Sequence, residues 1–258
     1  MKIITSKDNP TYKSALKLTK KKHRDEQGMY LLEGVKPLED ALAMGINIRN
    51  IFVCEGFEDE FDFPAKVTLA LERKLFENLS DTRTSQGVIA VVEKINYSAE
   101  AFAEVAGAEN SNIVVLDRLQ DPGNIGTVIR TAEAAGYKGI LLISGSGDVY
   151  SPKVVRAAAG SLFRMPVIYI ENTQEAVKLL KSINKRIVTT SLDTETYYYE
   201  ADLTKNIALV IGNEGQGVSG EFLDSSDIKI KIPMAGSIES LNAAVAAGIL
   251  MYQSQKIK

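Results

Sequence analysis

The sequence predicts an α/β protein whose larger part is a parallel sheet, preceded by a smaller α/β domain. Six short β-branched runs from residue 113 onward have helical patterns between most of them, and such alternation implies a parallel sheet covered on both faces. Strand and helix signals also alternate through the first 95 residues. Between these regions, 96–112 is rich in Ala, Glu, Gly and Asn without strand pattern. The expected division is a domain at 1–95, a linker at 96–112 and a second domain at 113–258.

Taken in order, Asn9-Pro10 opens a helix in which Tyr12, Ala15, Leu16 and Leu18 share a face. Its lysines point outward. The first 24 residues carry eight basic side chains against one acid, Asp8. Lys13, Lys17, Lys20, Lys21, Lys22 and Arg24 are either a solvated face or a set of phosphate contacts, which would give affinity without base specificity. A strand at 30–34 then leads to a helix through Leu38, Ala41 and Met44 that stops at Gly45. Further signals lie at 51–54, 69–79 and 87–92, with a polar loop at 81–87. In the second domain the strands fall at 113–117, 139–144, 166–170, 186–190, 207–212 and 228–233. Helices are expected at 125–135, 153–163 and 174–183, and a small-residue apolar helix at 243–252, beginning at Asn242. Tyr197-Tyr-Tyr199 reads as an edge strand, because Glu195 and Glu200 flank it where a base-stacking site would show basic neighbours.

Composition excludes several classes. With 258 residues, 45% of them hydrophobic, the chain can bury a sizeable core. A net charge of -3 leaves no global cationic field, so any basic surface is local. One cysteine, Cys54, and one histidine, His23, allow neither a disulfide nor a Cys/His metal cluster. No metal is expected. Neither a bilayer-spanning run nor a signal peptide is visible, and a soluble, unprocessed, cytoplasmic protein fits. The turn Asp121-Pro-Gly-Asn-Ile-Gly126 lacks the dinucleotide-binding glycine spacing, and no Walker-type phosphate loop occurs.

Three separated segments join apolar strands to small residues and polar turns: Asn124-Ile-Gly-Thr-Val-Ile-Arg130, Ile211-Gly-Asn-Glu-Gly-Gln-Gly-Val218, and Ile232-Pro-Met-Ala-Gly followed by Ser240-Leu-Asn242. Ligands of open parallel sheets sit beyond the carboxyl ends of the strands, where these segments fall. In order and spacing they resemble the three motifs of SpoU/TrmH-type RNA ribose 2'-O-methyltransferases of the SPOUT superfamily. The resemblance covers the whole chain.

That resemblance implies a deep carboxyl-terminal trefoil knot, an exception to the rule that chains do not thread loops. It implies an amino-terminal RNA-binding domain similar to ribosomal-protein folds. The cofactor would be S-adenosylmethionine, bound around Thr190, Ser191 and Leu192, around Ile211, Gly212, Asn213, Gly215 and Gly217, and around Ile232, Met234 and Leu241. Asn124, Arg130, Glu214, Ser240 and Asn242 would form the catalytic set. Removing a proton from a guanidinium at neutral pH is costly, so Arg130 is expected to hold the target phosphate and stabilise developing charge, and not to act as a simple base. Glu214 would fix a neighbouring arginine or asparagine. Asn242 has a competing reading as a helix cap. Two positions depart from the family pattern: Ala244 and Ala158 stand where hydroxyl residues are common, so that only Arg156 and Gly160 carry over around the latter. The resemblance further implies a homodimer through the knot region, and ribosomal RNA before transfer RNA as substrate. A non-catalytic RNA-binding protein and a methyltransferase for a small molecule or protein are the alternatives.

Overall fold

A computed structural model describes residues 3–255. The chain divides into two compact units, one built from the segment ending at Ile95 together with Asp148–Phe163, the other from Asn96–Gly147 and the chain from Arg164 onward.

The first unit runs β1 (Ile3–Ile4), α1 (Pro10–Lys17), α2 (Lys21–Gln27), β2 (Met29–Glu33), α3 (Val35–Ala43), β3 (Ile48–Cys54), β4 (Thr68–Leu71), α4 (Arg73–Leu79) and β5 (Val88–Glu93). Its sheet has the order β1-β4-β3-β5-β2, with β5 antiparallel to both neighbours and the remaining pairs parallel. Asn9 caps α1 by accepting from the Thr11 and Tyr12 amides, and Pro10 occupies the first turn, where its missing N–H costs nothing. Tyr12, Ala15 and Leu18 turn into a core with Phe52, Leu71, Phe76 and Ile89. The lysines are left outside.

The second unit begins with α5 (Ala99–Ala106), β6 (Ile113–Leu116), α6 (Pro122–Ala134) and β7 (Ile140–Ile143). The chain then gives α7 (Pro152–Ala158) to the first unit. It resumes with β8 (Val167–Ile170), α8 (Thr173–Ser182), β9 (Arg186–Thr190), β10 (Ile207–Ile211), α9 (Gly220–Asp224), β11 (Ile228–Ile230) and α10 (Ala243–Gln253). The six strands form one sheet in the order β11-β9-β10-β6-β7-β8, with every pair parallel. This is the parallel sheet the sequence predicts. Among the described residues no helix is long and apolar enough to cross a membrane.

Several expectations change. The stretch 96–112 is no bare linker, because α5 occupies its middle, capped by Ser98 and burying Phe102 and Ala106 against Ile113, Val115 and Leu141. Alanine and glutamate there favour a helix, not a hinge. The second region is also interrupted: Asp148–Phe163 packs with the first unit, where the Tyr150 hydroxyl donates to the Ile95 carbonyl at 2.9 Å. The helix expected over 153–163 stops at Ala158, since Ala159 (φ 47°) and Gly160 (φ 83°) turn left-handed. Tyr197 forms a single parallel bridge to Lys231 and not a strand of its own.

Candidate active site

The sheet order changes direction between β6 and β10: β7 and β8 extend to one side, β9 and β11 to the other. A crevice at such a switch point is where an open parallel sheet takes its ligand. The strand ends are in register, with Ile211 opposite Leu116 and Ile230 opposite Thr190. Consequently the segments after β6, β9, β10 and β11 leave the sheet side by side.

Across this crevice runs a directed chain of hydrogen bonds. The Asn242 side chain uses Oδ1 to accept from the Ala244 and Val245 amides, capping α10, so its Nδ2 is the group left to donate. It donates to Oδ1 of Asn124 at 2.9 Å. Asn124, which is buried, then presents its own Nδ2 to Oε1 of Glu214 at 3.1 Å. Glu214 also accepts from the backbone amides of Asp121 at 2.9 Å and Gln120 at 3.1 Å. Partial burial pulls the Glu214 carboxyl upward, but the amides of Asp121, Glu214 and Gln120 and the Asn124 side chain outweigh it and hold the pKa below the usual value. The three motifs thus converge on the Glu214 carboxylate. Asn242 both caps α10 and bonds Asn124, because its two amide atoms serve the two contacts separately.

Asn124 does not cap α6. That position belongs to Asp121, whose carboxylate accepts from the Asn124 amide at 2.9 Å, with Pro122 following in the first turn. The dipeptide Asp121-Pro122 carried this signal. Sequence reasoning also passed over Asp117, 1% exposed, which accepts from the Ser219 amide at 2.7 Å and from Arg118 Nε at 3.1 Å. It ties the end of β6 to the segment after β10.

The turn after β10 closes on itself. Asn213 and Gly217 exchange backbone hydrogen bonds at 2.9 Å, and Asn213 Oδ1 accepts from the Gly215 and Gln216 amides. A Cβ at Gly212 would overlap the backbone of Gly217 and Val218, while Gly217 has φ 70°. Here glycine is required by contact at one position and by conformation at the other.

Other expected site residues are less engaged. Arg130 is exposed on α6 and forms no hydrogen bond or ion pair among the described residues, leaving its charge free. Ser240 is likewise exposed and forms no hydrogen bond among the described residues, in a segment with no helix or strand between β11 and α10. Thr190 ends β9, the Ser191 amide donates to the Ile230 carbonyl at 3.0 Å, and Leu192 is 71% exposed. Ile232, Met234 and Leu241 are partly exposed. Together they offer apolar surface beyond the strand ends. Ala244 is buried, and its amide still serves the Asn242 cap, so the missing hydroxyl leaves the cap intact. Ala158 is buried on α7.

On the first unit, Lys17 and Lys20 are exposed without ion pairs among the described residues, whereas Lys13, Lys21 and Lys22 pair with Asp8, Asp25 and Glu26 at the surface. Arg24 is not part of that face. It is 4% exposed and donates to the Asp148 carboxylate through Nε and Nη2 at 3.0 and 2.6 Å, and to the Leu18 carbonyl at 2.7 Å. A guanidinium that is buried and paired with a carboxylate is not presented to a phosphate at the surface, so Arg24 is withdrawn from the RNA-contact set.

The chain matches the SpoU rRNA Methylase family over residues 111–252 and the MRM3-like substrate binding domain over residues 9–90. It is 34% identical to the 23S rRNA (guanosine(2553)-2'-O)-methyltransferase RlmP of Bacillus subtilis, over 98% of each chain. It is 30% identical to an uncharacterized tRNA/rRNA methyltransferase of Synechocystis, over 98% of this chain and 93% of that one. Among solved structures it is similar to an AdoMet-bound rRNA methyltransferase from Sinorhizobium meliloti, with TM-score 0.87, 33% identity, and coverage of 99% of this chain and 97% of that one. The SpoU methyltransferase AviRb from Streptomyces viridochromogenes superposes with TM-score 0.84 at 29% identity, over 95% and 96% of the two chains.

Proposed function

Because the chain belongs to the SpoU rRNA methylase family, we propose that it transfers a methyl group from S-adenosylmethionine to a ribose 2'-hydroxyl of structured RNA, with ribosomal RNA the substrate. The observation that carries this reading is the chain Asn242–Asn124–Glu214, which gathers all three motifs at the switch point of the sheet. The RlmP relative acts on 23S rRNA, and the Sinorhizobium structure holds the same cofactor.

The residues present fit that cofactor. The three segments assigned to it follow β9, β10 and β11, which are neighbours in the sheet. They bring a glycine turn, backbone polar groups and the incompletely buried Leu192, Ile232, Met234 and Leu241 to one edge. S-adenosylmethionine bound there supplies a methyl group on a sulfonium, a leaving group that needs no protein activation. Alignment is what the chain contributes. Glu214 fixes Asn124, and Asn124 fixes Asn242 at the head of α10, so the walls of the site keep one geometry. Arg130, exposed and without an ion pair among the described residues, holds the acceptor's phosphate and stabilises the oxyanion that develops as the hydroxyl proton leaves to phosphate or water. Ser240 adds a hydroxyl to the acceptor side.

The same reading includes a deep trefoil knot formed by the last strands and helix, and a homodimer built on α10, whose Val245 and Tyr252 are 52% and 55% exposed and lie seven residues apart on one helical face. It makes the first unit an RNA-binding domain working through Lys13, Lys17, Lys20, Lys21 and Lys22, and places the protein in the cytoplasm without a metal.

Labelled S-adenosylmethionine, incubated with separated ribosomal and transfer RNA and followed by alkaline hydrolysis, tests the reading. Label retained in alkali-resistant dinucleotides from ribosomal RNA is expected, reduced on the order of 10²–10³-fold in Arg130→Ala. Label in transfer RNA alone would change the substrate. No transfer to either RNA despite cofactor binding would sink it.

A further inference from the structure

The run Tyr197-Tyr-Tyr199 is unused by the chemistry above, and its sequence neighbours Glu195 and Glu200 argue against nucleic-acid contact. The structure supplies what the local sequence lacks. Tyr197 bridges to Lys231, 34 residues later, and the Lys231 carbonyl accepts from the Tyr198 amide at 3.0 Å while its amide donates to the Thr196 carbonyl at 3.0 Å. This holds the Lys231 Nζ 5.4 Å from the Tyr197 ring centroid. Tyr197 and Tyr199 are stacked, with centroids 5.4 Å apart and planes 19° apart, and Tyr198 meets Tyr199 edge-on at 5.3 Å. Glu200, itself exposed, accepts from the Tyr197 amide at 2.8 Å, and Glu195 pairs with Lys231 at 3.4 Å. Neither acid is left unpartnered beside the rings.

We propose that Tyr197 and Tyr199, with Lys231, form a stacking platform for an unpaired base of the RNA substrate. Tyr199 remains 48% exposed although aromatic rings are ordinarily buried, and the turn around it is fixed by backbone bonds to the chain that continues directly into Ile232 and Met234. A rigid, half-open aromatic pair with a cation alongside is what single-stranded bases stack upon. Lys231 directly precedes the segment assigned to the cofactor, so a base held on the platform would lie beside the proposed cofactor site. The platform rests on the RNA-methyltransferase reading, and gives that reading a base contact which the lysine face, made of phosphate contacts, does not provide.

The chain has no tryptophan, so Tyr199→Trp introduces a single reporter. Its fluorescence is measured on adding a short single-stranded RNA oligonucleotide or S-adenosylmethionine alone. In parallel, methyl transfer by wild type, Tyr199→Ala and Tyr199→Phe is measured at varied RNA. Expected are quenching by RNA but not by the cofactor, a KM for RNA raised about 5- to 100-fold in Tyr199→Ala with kcat little changed, and wild-type behaviour in Tyr199→Phe. Quenching by the cofactor alone would assign the rings to its adenine and overturn the proposal. So would an unquenched reporter, or an unchanged KM in an active Tyr199→Ala. Failure of wild type to methylate RNA would instead strike the underlying function, while the fluorescence arm reports on the platform independently of turnover.

Discussion

Glu214 shows what a single side chain contributes at this site. Its carboxylate receives two backbone amides and the Asn124 side chain, and a group whose folded pKa is depressed adds stability only while it is ionised. That contribution is complete above the usual glutamate value near 4.5 and fades as pH falls through the lower folded value. Wild type is therefore expected to be more stable than Glu214→Gln at pH 7, with the gap closing below about pH 4.5, as measured by denaturant unfolding across pH. An equal gap at pH 3 and pH 7 would deny the carboxylate that role. At this scale the sequence was informative where residue type and motif coincide: Asn124, Glu214 and Asn242 were all named from it. What stayed hidden was which atom bonds to which. Arg24 was misread for the same reason, since its partner Asp148 lies 124 residues away and burial is not written in a basic run.

At the scale of elements, the turn after β10 depends on one close approach. Gly212→Ala would push a methyl group into the backbone of Gly217 and Val218, so the turn must open. The expected result is destabilisation of about 1–3 kcal/mol and a marked loss of S-adenosylmethionine affinity, read by thermal unfolding and calorimetric titration. Retained affinity would separate the turn from the cofactor. The strands were legible because buried parallel strands read as unbroken β-branched runs, and 207–212 needed little more than that. Helix α5 was not, since a weakly patterned Ala/Glu stretch looks like a linker until Phe102 is seen to be buried. The shortened α7 was equally invisible: nothing in Ala159 itself announces a positive φ.

Over the whole molecule, charge is distributed so that a chain of net -3 still carries a cationic surface at one end of its sequence. Among the described residues Lys17 and Lys20 have no ion pair to give up, so their contact with phosphate would release counterions fully. Removing both, as Lys17→Ala with Lys20→Ala, should reduce the slope of log affinity for RNA against log salt by about 0.7–0.9 per lysine, measured by filter binding over a salt series. An unchanged slope would return these residues to the solvated-face reading. The two-part plan of the molecule was legible from alternating patterns, but its true boundaries were not, because the segment Asp148–Phe163 leaves the sequence neighbours that seemed to claim it.

That excursion makes each unit discontinuous in sequence, with the backbone passing between them three times, at 95/96, 147/148 and 163/164. Cutting the gene at codon 96 would not isolate either half. The carboxyl-terminal product would carry α7 with Val154, Val155 and Ala158 stripped of their cover, a sticky apolar helix prone to aggregation, while the amino-terminal product would keep a buried Arg24 without its counter-ion. Neither half is a portable module, and any graft or chimera built from this chain must carry residues 148–163 along with the amino-terminal unit.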